Sequence, residues 1–162
     1  MKIRPAKREE VGIILNLIKE LAEYERALDH VETTEKELLS TIFVENPKVF
    51  CDLVDVEGEI VGFAIWFLNY STWQGRHGIY LEDLFVKSEF RGRGYGKALL
   101  QHLARVCEER DYGRFQWSVL DWNTPAIDFY KSLGAESMDD WIVYRVTGKS
   151  LQDLASPTQD YS

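Results

Sequence analysis

The segment that most constrains the fold runs from Tyr80 to Glu109. A β-rich run, YLEDLFV (80–86), leads into Arg91-Gly92-Arg93-Gly94-Tyr95-Gly96, and a helical pattern follows, with Leu99, Leu103 and Val106 on one face and Leu100, Ala104 and Cys107 beside them. Strand, glycine-rich turn and helix therefore follow one another without a break. Glycines at alternate positions leave the N–H groups of a tight turn unobstructed, and the helix adds its positive end, which suits a pyrophosphate. An unliganded strand-to-helix turn fits the same glycines. The dinucleotide pattern G-x-G-x-x-G is absent, and no glycine lies five residues before Gly96 to complete a Walker motif with Lys97.

Around this centre the hydrophobic period changes. Val11, Ile14, Leu15, Ile18, Leu21 and Ala22 give helical spacing between Glu9 and Glu25. Thr34 and Glu37 form a capping-box pattern that opens a second helix through Leu38, Leu39 and Ile42, stopped by Asn46-Pro47. VFCDLVDV (49–56), a Glu57-Gly58-Glu59 turn and IVGFAIWFL (60–68) predict a β-hairpin, and IYLEDLFVK (79–87) a third strand. RFQWSVL (114–120) is the next strand. Thr124-Pro125 supplies an N-cap with proline at the first helical position, Gly134 supplies the stop, and WIVYRV (141–146) is a last strand. Met1–Arg4 is too short to assign alone. The expectation is one α/β domain over 1–148 and a mobile tail over 149–162, with one helical turn at Leu151–Ala155.

At 162 residues the chain is long enough for a single buried core. A net charge of −8 and a pI near 4.9 argue against nucleic acid as a partner and favour cationic small molecules. Two cysteines, Cys51 and Cys107, and three histidines, His30, His77 and His102, offer no zinc framework, so no metal is expected. Neither cysteine reads as an acyl-carrying nucleophile, and no histidine is assigned a role. The N-terminus has no apolar signal core and the longest apolar run, Phe63–Leu68, is far below a membrane span. A cytoplasmic location without membrane association is expected.

The loop Arg91–Gly96 resembles the Arg/Gln-x-x-Gly-x-Gly/Ala pyrophosphate loop of the GNAT superfamily of acetyl-CoA-dependent N-acetyltransferases. Within it the chain is most similar to the diamine and polyamine branch, which includes the spermidine/spermine and thialysine acetyltransferases. The blocks that carry the closer likeness are IRPA (3–6), LIKELAEYE (17–25), STWQG (71–75), YLEDLFV (80–86) and LDWNTPAIDFYKSLGA (120–135).

The resemblance implies a mixed, mostly antiparallel sheet of about seven strands with a splayed central pair and helices on both faces. It implies acetyl-CoA as cosubstrate, with Leu84, Phe85 and Val86 meeting the pantetheine arm through main-chain groups. The pyrophosphate would rest on Arg91, Gly92, Arg93, Gly94, Tyr95 and Gly96. Asn123 matches a cofactor-contacting position, although alone it is a good residue before a helix start. Lys131 fits a CoA phosphate or a solvated helix lysine. Tyr130 matches the general acid near the CoA sulfur. On the acceptor side the matching positions are Tyr24, Glu25, Trp73, Glu82, Asp83, Asp139 and Trp141, although the segment from Trp73 to Glu82 is about one residue longer than in the polyamine enzymes. A homodimer is also implied.

An alkylamine is protonated at neutral pH and must lose a proton before it attacks a thioester. Glu82, through a water, is the expected proton acceptor, and Asp83 the group that holds the cation. An N–H near Phe85 would meet the oxyanion. The expected function is acetyl transfer to a primary amine of a polyamine, diamine or thialysine-like acceptor, by direct attack. The alternatives are another amine, such as an amino acid, an aminoglycoside or a protein N-terminus, and a CoA-binding sensor without turnover.

Overall fold

The computed structural model describes residues 1–156; the last part of the expected mobile tail, 157–162, lies outside the described residues. The chain divides into two compact units, Met1–Ser118 and Val119–Ser162, each described by itself.

In the first unit, apolar spacing and capping set the helices. Helix α1 (Val11–Tyr24) buries Val11, Ile14, Leu17 and Leu21, one stripe along its length. Helix α2 (Glu35–Thr41) starts on both arms of the predicted capping box: the Lys36 N–H donates to Thr34 Oγ1 at 3.2 Å and the Thr34 N–H to Glu37 Oε2 at 3.1 Å.

Among the described residues five strands form the sheet, in the order β1 (Lys2–Pro5), β2 (Val49–Val56), β3 (Glu59–Ser71), β4 (Arg76–Val86), β5 (Phe115–Trp117). The first four run antiparallel to their neighbours, and β4–β5 is parallel. Short β1 is held from outside its own pattern: Arg4 reaches Glu10 at 2.6 Å and Asp55 at 3.0 Å. Helix α3 (Tyr95–Glu109) is the crossover that a parallel pair requires.

Alternation divides the sheet into two buried faces. Cys51, Leu53, Phe63, Ile65 and Phe85 join the stripe of α1 in one core cluster. Asp52, between Cys51 and Leu53, points the other way. It accepts from Trp66 Nε1 at 2.7 Å and lies 3.6 Å from His102 Nε2 of α3, so the buried carboxylate is satisfied. Helices thus cover both faces, as expected.

In the second unit, helix α4 (Thr124–Ser132) is capped by Asn123, whose Oδ1 accepts from the Ala126 N–H at 3.4 Å. The cap is therefore one residue earlier than the expected Thr124, because Thr124 already has helical geometry ahead of Pro125. Gly134 ends the turn at φ +85°, as expected. Helix α5 (Gly148–Ala155) contains the expected turn at Leu151–Ala155 and begins three residues before it.

Two expectations about strands are corrected. Among the described residues the sheet has five strands rather than about seven, and WIVYRV (141–146) belongs to none of them. Strand β5 retains only Phe115–Trp117 of the expected 114–120. A strand exists only where a neighbour takes its main-chain bonds, and the apolar pattern of 141–146 has no neighbouring strand among the described residues.

Candidate active site

The site begins where β4 parts from β5. The two strands pair at Ile79–Phe115, Tyr80–Gln116 and Leu81–Trp117, and pairing stops there while β4 continues to Val86. Among the described residues, the strand from Glu82 to Val86 has β3 on one side and no strand on the other. Tyr80 and Ser118 hold the last paired stretch together, hydroxyl to hydroxyl at 2.7 Å.

A β-bulge sits at the same point. Ile65 pairs with Asp83 and Trp66 with Leu81, so Glu82 is the extra residue. The bulge reverses the facing of the strand: Leu81 lies opposite Trp66 on the α3 face, and Phe85 lies opposite Phe63 in the α1 core. Gly62 permits the close approach beyond it, since a Cβ there would stand 2.7 Å from the Phe85 carbonyl oxygen.

Beyond β4 the chain makes a short 3-10 turn (Ser88–Phe90) and enters α3 through the glycine loop. Gly94 takes the N-cap position with φ +83°, a left-handed conformation that disfavours other residues. Among the described residues, the N–H groups of 92–97 donate to no carbonyl or side chain. Tyr95, Gly96 and Lys97 supply the first, unsatisfied N–H groups of α3. This open row at a helix N-terminus has the chemistry of a phosphate site.

The two loop arginines do not project freely. Arg91 Nε donates to the Val86 carbonyl at 2.9 Å, and its guanidinium lies 4.5 Å from the Tyr24 ring centroid and 5.3 Å from that of Phe85. It therefore fastens the end of α1 to the end of β4. Arg93 donates to the Glu89 carbonyl at 3.2 Å and covers Phe90. The resemblance implied Arg91 only as part of the pyrophosphate loop; the stacking depends on three elements that meet in space, which no local pattern signals.

Beside this clamp lies an acidic cluster. Burial, with the charges of Glu82 and Glu25 acting in the same direction, raises the Asp83 carboxyl to about 6. Burial also raises Glu25 above the usual carboxylate range. Glu82 is exposed, and Asp83 and Glu25 are half-buried. A half-buried Asp83 whose ionisation is disfavoured by burial and by the charges of Glu82 and Glu25 makes a site that gains from a cation.

The remaining expected residues are placed differently. Trp73, 94% exposed, stands in the β3–β4 turn. From Arg76 to Glu82 the strand advances six residues, roughly 20 Å at the usual rise. Trp73 is therefore not gathered into the acidic cluster. In the second unit Asn123 is buried, and Tyr130 is half-buried, its ring 5.6 Å from that of Phe129. Lys131 is exposed. Asp139 accepts from Ser137 Oγ at 3.0 Å, and Trp141 is 70% exposed. Cys51 is buried in the α1 core with its thiol pushed up by burial, and Cys107 is buried beneath α3, so neither is a nucleophile. Among the described residues no group of His, Cys, Asp and Glu could hold a metal, and no helix is long and apolar enough to cross a membrane.

Comparison with known proteins agrees with this geometry. The family model described as Acetyltransferase (GNAT) family matches residues 14–135. The chain is 40% identical to a thialysine N-epsilon-acetyltransferase of Sus scrofa, over 94% of this chain and 96% of that protein. It is 33% identical to the spermidine/spermine N(1)-acetyltransferase-like protein 1 of Homo sapiens, over 95% of this chain and 24% of that one. Among solved structures, an integron cassette protein from the mobile metagenome of V. cholerae superposes with a TM-score of 0.80 at 26% identity, covering 96% of this chain and 98% of that one. A β4 edge left open beyond Leu81, a free N–H row at the start of α3 and these relationships converge: the chain belongs to the acetyltransferase (GNAT) family, enzymes that pass acetyl from acetyl-CoA to an amine.

Proposed function

We propose that this acetyltransferase acts on a primary amine of a small acceptor that carries a second charge-bearing amine, in the thialysine, diamine or polyamine class. The observation that carries the reading is the juxtaposition on β4 of the open edge from Glu82 to Val86 with Glu25, Glu82 and Asp83. The named activities of the thialysine and spermidine/spermine relatives support it.

The residues fit acetyl-CoA. Leu84 and Val86 offer main-chain groups to the pantetheine arm, while those of Phe85 face β3, and the open N–H row of 92–97 suits the pyrophosphate, the Arg91 N–H being taken by the Ser88 carbonyl at 3.3 Å. Asn123 and Lys131 are further candidates for cofactor contact from the second unit. Bound acetyl-CoA supplies a thioester carbonyl for attack.

Glu25 and Asp83 hold the cationic acceptor, and Tyr24, its ring stacked under Arg91, stands beside Glu25 at the end of α1. Glu82, exposed at the bulge, takes a proton from the reacting ammonium through a water, leaving the nitrogen lone pair free. The N–H near Phe85 meets the oxyanion as the new C–N bond forms. Tyr130 protonates the departing thiolate.

The test is acetyl-CoA-dependent release of free CoA thiol at pH about 8 with thialysine, putrescine, spermidine, lysine and an aminoglycoside, with thermal shift by acetyl-CoA as a binding control. Turnover with one of the first three is expected. Turnover confined to the aminoglycoside, or acetyl-CoA binding without release across the panel, contradicts the acceptor assignment.

A further inference from the structure

Asp52, on β2, is a carboxylate buried on the α3 face of the sheet, its side chain 7% exposed. Trp66, a diagonal neighbour on β3, is held from two sides: its ring stacks on Phe50 with 4.5 Å between centroids, and its Nε1 donates to Asp52 Oδ2 at 2.7 Å. An indole N–H is neutral, so it fills one lone pair and leaves the buried charge unbalanced. The cation that can balance it is His102, whose Nε2 stands 3.6 Å from the same oxygen, beyond a hydrogen bond and within ion-pair reach. Among the described residues no other ion pair joins α3 to the sheet.

The cluster lies between the two halves of the cofactor site. On β3, Trp66 pairs with Leu81, the last residue of β4 that also pairs with β5, and the bulge at Glu82 follows. On α3, His102 comes roughly two turns after the N–H row that opens the helix. One end of the contact therefore marks where the sheet opens, and the other is carried by the phosphate-binding helix. Leu99, Leu100, Leu103 and Cys107 are the buried residues of α3. Apolar burial is non-directional, so it holds the helix down without fixing where it sits along its own axis. A point charge opposite a buried carboxylate does fix it.

We infer that Asp52 and His102 are positioning residues for acetyl-CoA: they set α3 along its axis so that its N–H row meets the pyrophosphate while the thioester lies at the open edge of β4. The inference rests on the cofactor reading given above. Both residues act through α3, not by touching the cofactor. Asp83 lies on the opposite face of the sheet, covered by α1, so the pair governs cofactor affinity and leaves the acceptor side unchanged.

The test compares the full-length wild type with Asp52→Asn, His102→Leu and the double variant, with thermal unfolding to show that each is folded. Asp52→Asn keeps the side-chain volume and an acceptor for Trp66 while removing the charge. Calorimetric titration with CoA should give a Kd raised about tenfold in each single variant, and KM for acetyl-CoA should rise equally, with kcat and the amine KM within about twofold. In the double variant the loss should again be about tenfold rather than about a hundredfold, because both substitutions break the same contact. His102→Lys, which returns a cation opposite Asp52, should recover most of the affinity. Losses that multiply in the double variant, or single variants with an unchanged Kd for CoA, overturn the inference. So does a fall in kcat with both KM values raised and no rescue by lysine, which is the pattern of general packing. A wild type that binds no CoA overturns the function proposed above and this inference with it.

Discussion

Asp83 stands opposite Ile65 on the sheet face covered by α1, and burial there, together with the charges of Glu82 and Glu25, raises its carboxyl to about 6. A carboxyl raised in the folded state favours folding in its protonated form. Its stabilising effect is complete below the ordinary carboxylate pKa and is lost as the pH rises through about 6. Asp83→Asn should therefore leave the thermal midpoint unchanged at pH 4 and raise it at pH 8, by the equivalent of at most about 3 kcal/mol. Thermal unfolding at the two pH values checks this; an equal effect at both contradicts it.

The same titration bears on the acceptor. Below pH 6 Asp83 loses the charge that holds a cation, so KM for the amine should rise on the acid side. In Asp83→Asn that rise should be absent, with KM high throughout. Glu82→Gln should instead lower kcat/KM and alter the acidic limb of its profile, as expected for a group that accepts the proton. An unchanged profile in Glu82→Gln removes Glu82 from the mechanism.

Tyr130→Phe should lower kcat by roughly 100-fold or more, the range of general acid catalysis, with acetyl-CoA affinity nearly unchanged. Steady-state rates with a thermal-shift titration separate the two quantities. Undiminished kcat withdraws the assignment.

Arg91 lies over Tyr24 and Phe85 and donates to the Val86 carbonyl, so its removal should loosen both the acceptor and cofactor sides of the site. Arg91→Ala should raise both KM values. Arg91→Lys should recover little, because an ammonium cannot both stack on the rings and donate along the same plane. Full recovery by lysine would mean that only the charge matters.

At Gly94, φ +83° at the start of α3 is costly for any residue with a Cβ, although the space around it is open. Gly94→Ala should cost about 1–2 kcal/mol of stability and weaken acetyl-CoA binding. Denaturant unfolding and a binding titration check the two effects.

Much of this molecule is legible in its sequence, for local reasons. The stripe of α1, the Thr34–Glu37 box and the hairpin at Gly58 each depend on residues near one another in the chain, and all three form. The strand-glycine-helix order around Arg91–Gly96 also stands. The bulge at Glu82 was not legible. Leu81 and Phe85 are an even number of residues apart and would share a face in a regular strand, yet pair with Trp66 and Phe63 on opposite faces. The Arg91 clamp and the Asp52–Trp66–His102 contacts join distant segments, and nothing local marks them. At 141–146 the pattern is that of a strand, but the pairing partner that would make it one is not specified by the pattern.

The most direct test of the acidic cluster as the acceptor site compares 1,4-diaminobutane with n-butylamine at pH 8. Both present a primary alkylamine to the same thioester, and only the first keeps a second cation for Glu25 and Asp83. The diamine should be preferred in kcat/KM by about tenfold or more, as expected for one charge-assisted contact. Equal values for the two amines would contradict the account.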